Sequence, residues 1–126
     1  MSVYEVSVDA TFQASHAVRG AQGTMEGPHG HDWTVTATFR SATIDDSGFV
    51  VDFMEARDAL ETAGAELNGG DLNEILGVPH FGASTERVAE YIAEKLGETL
   101  QVEIYRVEVT EAPGCRAAYY PRSPSP

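Results

Sequence analysis

The chain has 126 residues, enough for one hydrophobic core and too few for two domains of ordinary size. Its 42% hydrophobic and 22% charged residues are those of a globular protein, and a formal net charge of -12 argues against nucleic-acid and anionic-membrane partners. A single cysteine, Cys115, excludes a disulfide framework and leaves the redox compartment open. No apolar run approaches the ~18 residues of a membrane-spanning helix, and no signal-type apolar segment opens the chain, so a cytoplasmic location is expected.

From Val3 to His16 the sequence alternates, with Val6, Val8, Ala10 and Phe12 on one face and Ser7, Asp9, Thr11 and Gln13 on the other. That period of two is the pattern of a half-buried strand. Residues 17–28 hold three glycines and a proline and read as a loop. From Asp32 to Thr43 the alternation returns, with Trp33, Val35, Ala37 and Phe39 opposing Thr34, Thr36, Thr38 and Arg40. Between loop and strand stands His29-Gly30-His31. In extended chain, residues i and i+2 share a face, so both imidazoles can point together. Antiparallel pairing of the two strands carries His16 back toward them. Three neutral imidazoles with an open fourth position are what a catalytic zinc site requires. The alternative for the same residues is ordinary hydrogen-bonded loop histidines.

Asp45-Asp46-Ser47-Gly48 is a turn signal, and Asp52 reads as a helix N-cap with Glu55 as its capping-box partner. Phe53, Ala56, Leu60, Ala63 and Leu67 are spaced for one buried helical stripe, which Gly69-Gly70 terminates. Residues 71–83 read as an irregular connection. Ser84 caps a second helix, with Glu86 in its first turn and Val88, Ala89, Ile92, Ala93 and Leu96 buried. Val102–Glu111 reads as strand, with Tyr105, Val107 and Val109 on one face, and a last short strand runs toward Tyr120. The order β-β-α-α-β-β predicts an α+β domain over residues 1–120, a four-stranded antiparallel sheet with two helices on one face. Residues 121–126 are proline-rich and are expected to form a flexible tail.

Phe12-x-Ala14-x-His16, His29-Gly30-His31, Gly48-Phe49-Val50-Val51-Asp52-Phe53, Leu72-Asn73, Ser84-Thr85-Glu86 and Glu111 follow one another in an order that resembles the 6-pyruvoyl-tetrahydropterin synthase and 6-carboxy-tetrahydropterin synthase family. The resemblance spans roughly residues 3–120. It implies the tunnelling fold, in which subunits join their sheets into a barrel, usually as a homohexamer of two trimers. It implies that His16, His29 and His31 bind zinc, that zinc acts on the C6 side chain of a pterin as a Lewis acid, and that Glu111 anchors the ring. A 2-amino-4-oxo ring offers its exocyclic amine and adjacent ring N–H as parallel donors, which a carboxylate accepts in bidentate fashion. Ser84 and Thr85 can add contacts to the ring or serve as helix caps.

The pattern breaks at the acid/base group. The family cysteine, four residues before His-Gly-His, is Met25 here, and the family Leu-Asp-His is Leu67-Asn68-Gly69. A thioether, an amide and a glycine cannot move protons, so ordinary synthase activity is not expected, general acid–base catalysis being worth about 10²–10⁴-fold. Glu26, three residues before His29, resembles the glutamate with which one branch of the family cleaves the side chain of dihydroneopterin triphosphate to 6-hydroxymethyl-dihydropterin. Burial can raise a carboxylate into the range of a working base. Its other reading is a solvated loop acid, and His80 is a weaker candidate for the missing histidine. The acidic net charge opposes a triphosphate unless Arg19, Arg40 or Arg116 gather locally, and Cys115 is by position a structural thiol. The alternative to a zinc-dependent lyase is a catalytically inactive homologue that binds a pterin or purine-like ligand.

Overall fold

The computed structural model describes residues 2–17, 29–78 and 82–121, and for His29 the main chain only. Met25, Glu26, His80 and Arg19 lie outside the described residues, as does the tail beyond residue 121. Strands β1 (Tyr4–His16) and β2 (His29–Ser41) pair antiparallel along their full length, from Tyr4 opposite Ser41 to His16 opposite His29. The second strand starts three residues before its alternating stretch, because the His-Gly-His segment is itself part of the ladder. Strands β3 (Ile104–Ala112) and β4 (Cys115–Tyr119) close an all-antiparallel sheet of order β1-β2-β3-β4. The turn between them places Gly114 at φ 81°, the left-handed conformation that favours glycine.

Helix α1 (Phe53–Leu67) begins where the Asp52 carboxylate accepts a 2.7 Å hydrogen bond from the Met54 N–H. Ala56, Leu60, Ala63 and Leu67 are buried as their spacing predicts, and Gly64 joins them against Phe12. Phe53 does not: as the first helical residue it lies off the sheet and is 62% exposed. The connection read as irregular contains a one-turn helix, α2 (Leu72–Ile75), capped by Asp71. Its single turn is too short for a periodic signal. Helix α3 (Thr85–Thr99) starts at Ser84, whose hydroxyl accepts from the Arg87 N–H, and buries the five predicted apolar residues. None of the described helices is long and apolar enough to cross a membrane.

Helix α1 packs on β1, and α3 on β3 and β4, so both long helices cover one face of the sheet. Between the layers lie Phe12, Trp33, Val35, Phe39, Leu60, Leu67, Ile92, Leu96, Val107 and Val109. The other face is polar and stitched by directly opposed pairs: Glu5 with Arg40, Ser7 with Thr38, Asp9 with Thr36, and Gln13 with Asp32. Such pairs reinforce the register that the buried face already sets. One predicted face is corrected by a bulge. The partners of Thr38 and Phe39 are Arg106 and Ile104, so Tyr105 is skipped in the ladder and Ile104 takes the buried place. Tyr105 instead lies under the Arg40 guanidinium, 3.8 Å from the ring centroid, and edge-on to Tyr120.

Candidate functional site

The inward face of β1 reads Val8, Ala10, Phe12, Ala14 and, last, His16. A histidine at a core position needs partners for its nitrogens. The His16 ring is 1% exposed, and its Nδ1 donates a 2.7 Å hydrogen bond to the carbonyl of Ala83, just before α3. A carbonyl only accepts, so that bond assigns the proton of the neutral ring to Nδ1 and the lone pair to Nε2. This is the arrangement by which metal-binding histidines are oriented, the second nitrogen being tied to a backbone carbonyl.

Register brings the second imidazole. Ala14 faces His31 and Phe12 faces Trp33, so His31 lies on the same inward face, one step diagonally from His16. Trp33 organises both: its indole N–H donates to the Ala14 carbonyl, and its ring stands edge-to-face against His16 and His31 at 4.9 and 5.7 Å. The two imidazole centroids are 5.3 Å apart. The main chain of His29 lies directly opposite His16; its side chain is outside the description.

The third group comes from β3. Val107 and Val109 point inward, and Glu111 continues that face beyond them. One carboxylate oxygen lies 3.0 Å from His16 Nε2, and the other 3.8 Å from His31 Nε2. The Thr85 hydroxyl, at the start of α3, donates to the nearer oxygen at 3.1 Å. Ser84 is engaged as the N-cap, so of the two hydroxyls considered for a ring it is Thr85 that reaches the site.

The donor atoms of His16, His31 and Glu111 all lie within 4.8 Å of one another. Tetrahedral ligands about 2.0–2.1 Å from a zinc ion stand roughly 3.3 Å apart; the separations of 3.0 and 3.8 Å, each to a different oxygen of Glu111, bracket that value, and the whole set spans up to 4.8 Å. A carboxylate 3.0 Å from His16 Nε2 calls for positive charge between them, which a proton or a cation supplies. The set thus fits a divalent cation by chemistry and by spacing. Glu111, expected to anchor a ring, lies within reach of both imidazoles in this group.

Next to His31 opens a cleft of about 420 Å³, walled by Gln13, Ser15, Gly30, Asp32 and Gly69-Gly70, within the range of small-molecule sites. A larger cavity of about 590 Å³ lies on the outer side of β1, against Arg57 and Glu61, and holds none of the histidines. Asn68 and Gly69, read against the family's Asp-His, follow the end of α1. Here the Asn68 side chain accepts from the Gln13 N–H at 2.9 Å, and Gly69 adopts φ 77°. Both positions serve the backbone.

A clamp on His16 was not legible as such. Asn73 of α2 accepts from the Ala17 N–H at 2.7 Å and donates to the Ala17 carbonyl at 3.0 Å, while the Ser15 N–H donates to the Gly70 carbonyl. The strand is therefore held on both sides of its histidine. The only signal was Leu72-Asn73 as a motif without an assigned role. Of the arginines considered for a phosphate, Arg40 sits nine residues along β2 from His31, roughly 30 Å away, bonded to Glu5. That bond raises its pKa above the usual guanidinium value, against a smaller effect of burial. Arg116 lies opposite Thr110, next to Glu111 in the chain.

Comparison with known proteins follows the same lines. The family model of 6-pyruvoyl tetrahydropterin synthase matches residues 5–122. A relative from Pyrococcus furiosus described as a dihydroneopterin monophosphate aldolase is 28% identical over 104 residues, covering 81% of this chain and 84% of its own. The 6-pyruvoyl tetrahydropterin synthase of Caenorhabditis elegans shares the fold with a TM-score of 0.78 at 19% identity, over 97% of this chain and 98% of that one. That of Plasmodium vivax, solved as variants of a glutamate described as a catalytic residue, gives 0.74 at 17% identity, over 94% and 98%. The sheet order, the helices and the family match over nearly the whole length agree: the chain belongs to the 6-pyruvoyl tetrahydropterin synthase family and has its tunnelling fold.

Proposed function

We propose that the protein is a metal-dependent lyase of the aldolase type, which binds a pterin ring and cleaves the C6 side chain of a dihydroneopterin phosphate. The observation that carries this reading is the convergence of His16, His31 and Glu111 beside a cleft. The relative described as a dihydroneopterin monophosphate aldolase supports the choice of reaction. The net charge of -12 favours a monophosphate over a triphosphate.

In this reading His16, His29 and His31 hold a zinc ion, which supplies Lewis-acid polarisation of the side-chain hydroxyls. Glu111 accepts the two parallel N–H groups of the ring, with the Thr85 hydroxyl steadying its carboxylate. Ser84 and Thr85 set the start of α3 against the ring. Glu26 takes the proton of the C2′ hydroxyl as the C1′–C2′ bond breaks, the electron pair is held by the conjugated ring, and the proton returns to C1′. The products are 6-hydroxymethyl-dihydropterin and a two-carbon aldehyde that keeps the phosphate. The Plasmodium vivax relative with a catalytic glutamate supports a carboxylate in that role. The ordinary synthase reaction is absent in this reading, because Met25, Asn68 and Gly69 replace its proton-moving residues.

The active form is a homo-oligomer, a hexamer of two trimers, in which sheet edges join between copies. Exposed Val3, Tyr4 and Tyr120 support such joining. The test is incubation of zinc-loaded protein with dihydroneopterin monophosphate and, separately, triphosphate, followed by product analysis. We expect 6-hydroxymethyl-dihydropterin from the monophosphate and its loss in Glu26→Gln. Tight ring binding with no product from either substrate would refute the lyase and leave an inactive pterin-binding homologue.

A further inference from the structure

We infer that Glu111 is a switching ligand: in a cleft without a ring its carboxylate joins the imidazoles on the metal ion, and a bound 2-amino-4-oxo ring draws it away. Metal and ring then oppose each other's binding unless the ring carries oxygens of its own for the vacated position. The ring half of this inference rests on the function proposed above; the metal half rests on geometry alone.

Both oxygens of Glu111 are turned to the imidazoles, at 3.0 Å from His16 Nε2 and 3.8 Å from His31 Nε2. A ring that offers two parallel N–H donors needs the same two oxygens, at ordinary hydrogen-bond distance and in its own plane. One carboxylate cannot satisfy both at once. It is placed to move between them: its side chain is 26% exposed where that of His16 is 0%. The Thr85 hydroxyl holds one of its oxygens at 3.1 Å.

Coordination number gives the switch its consequence. With His29 as the third imidazole, as in the function proposed above, Glu111 would complete a tetrahedron, the closed arrangement of structural zinc sites, whereas catalytic sites keep one position open. With Glu111 engaged, the site is closed; with Glu111 on a ring, it is open and the side chain of that ring lies beside it. Only a ligand that has both the ring and the side-chain hydroxyls meets every demand. By linkage, whatever factor the ring takes from metal affinity the metal takes from ring affinity.

The test measures zinc affinity of the full chain by competition with a chromophoric chelator, alone, with saturating 6-methylpterin, and with saturating neopterin. The first pterin has no side-chain oxygen and the second has three hydroxyls. We expect 6-methylpterin to weaken zinc binding about tenfold or more, as for other losses in metal-site support, and neopterin to weaken it much less. Without any ring, Glu111→Gln should lower zinc affinity by a similar factor, with circular dichroism confirming the fold. Ring binding with unchanged zinc affinity overturns the switch and leaves the proposed function standing. Failure of 6-methylpterin to bind the metal-free protein overturns the ring-binding reading, and the switch with it. Unchanged zinc affinity in Glu111→Gln overturns the metal half independently of any pterin.

Discussion

Asn73 offers the sharpest test of how the fold holds its histidine. Its carboxamide reads both the N–H and the carbonyl of Ala17, at 2.7 and 3.0 Å, as a neighbouring strand would. Asn73→Ala removes both bonds. At about 1 kcal/mol net for each bond, with Ala17 half-buried so that water can partly replace them, the loss is about 2 kcal/mol. For a chain of this length that lowers Tm by roughly 7 °C. The same change frees the end of β1 next to His16, and supporting contacts of this kind are worth about 10–100-fold in metal affinity. Asn73→Asp keeps the acceptor for Ala17 N–H but sets a second acceptor against the carbonyl, so it should rescue neither property fully. Differential scanning calorimetry and chelator competition for zinc check the two effects separately. A variant within about 1 °C of wild type and with unchanged zinc affinity would show that Ser15 and Ala83 hold His16 without help, and the clamp would be refuted.

Three further changes probe other parts of the molecule. His16→Ala should sharply reduce zinc content by elemental analysis, because it removes an imidazole whose Nε2 is oriented by a bond at Nδ1. Leu60→Ala, at a fully buried position of α1, should cost about 2–5 kcal/mol, read as a lower urea midpoint with an unchanged slope. Gly69→Ala places a Cβ at φ 77° and should cost about 1–2 kcal/mol, whereas Gly69→Asn, which tolerates that conformation better, should be milder in thermal melts.

How far the sequence spoke for itself depended on the range of each interaction. Alternation and helical spacing are local, so β1, β2, α1, α3 and the Asp52 and Ser84 caps were all readable from side-chain order. The helix α2, only four residues long, was not, since one turn has no period to show. Tyr105 was assigned to the buried face because a bulge depends on the partner strand, and nothing in Ile104-Tyr105-Arg106 announces it. At the site, the parity of His29, His31 and Trp33 was visible, but the edge-to-face contacts of Trp33 with two imidazoles follow only from the register with β1. Glu111 stood out for one role, through a resemblance. Its approach to His16 depends on β3 lying beside β2 and on Thr85 above it, neither of which the residues around Glu111 encode.

Asn68-Gly69 and the two inward histidines are held by different structural constraints. His16 is buried among Phe12, Ala14 and Trp33, so a replacement there disturbs the core, whereas His31, on the same face, is partly exposed to the cleft. Asn68 and Gly69 follow the last residue of α1, where the chain turns back to β1 through the bonds from Gly69 N–H to the Gln13 carbonyl and from Gln13 N–H to Asn68. The backbone there needs a residue that accepts a left-handed φ, which glycine meets without strain. A proton-moving side chain at that point would serve chemistry against the turn's own preference. The cleft next to His31 is walled by Gly69 and Gly70 together with Gln13, Ser15 and Asp32, so a molecule entering it meets an amide, a hydroxyl and an acid as well as glycine backbone.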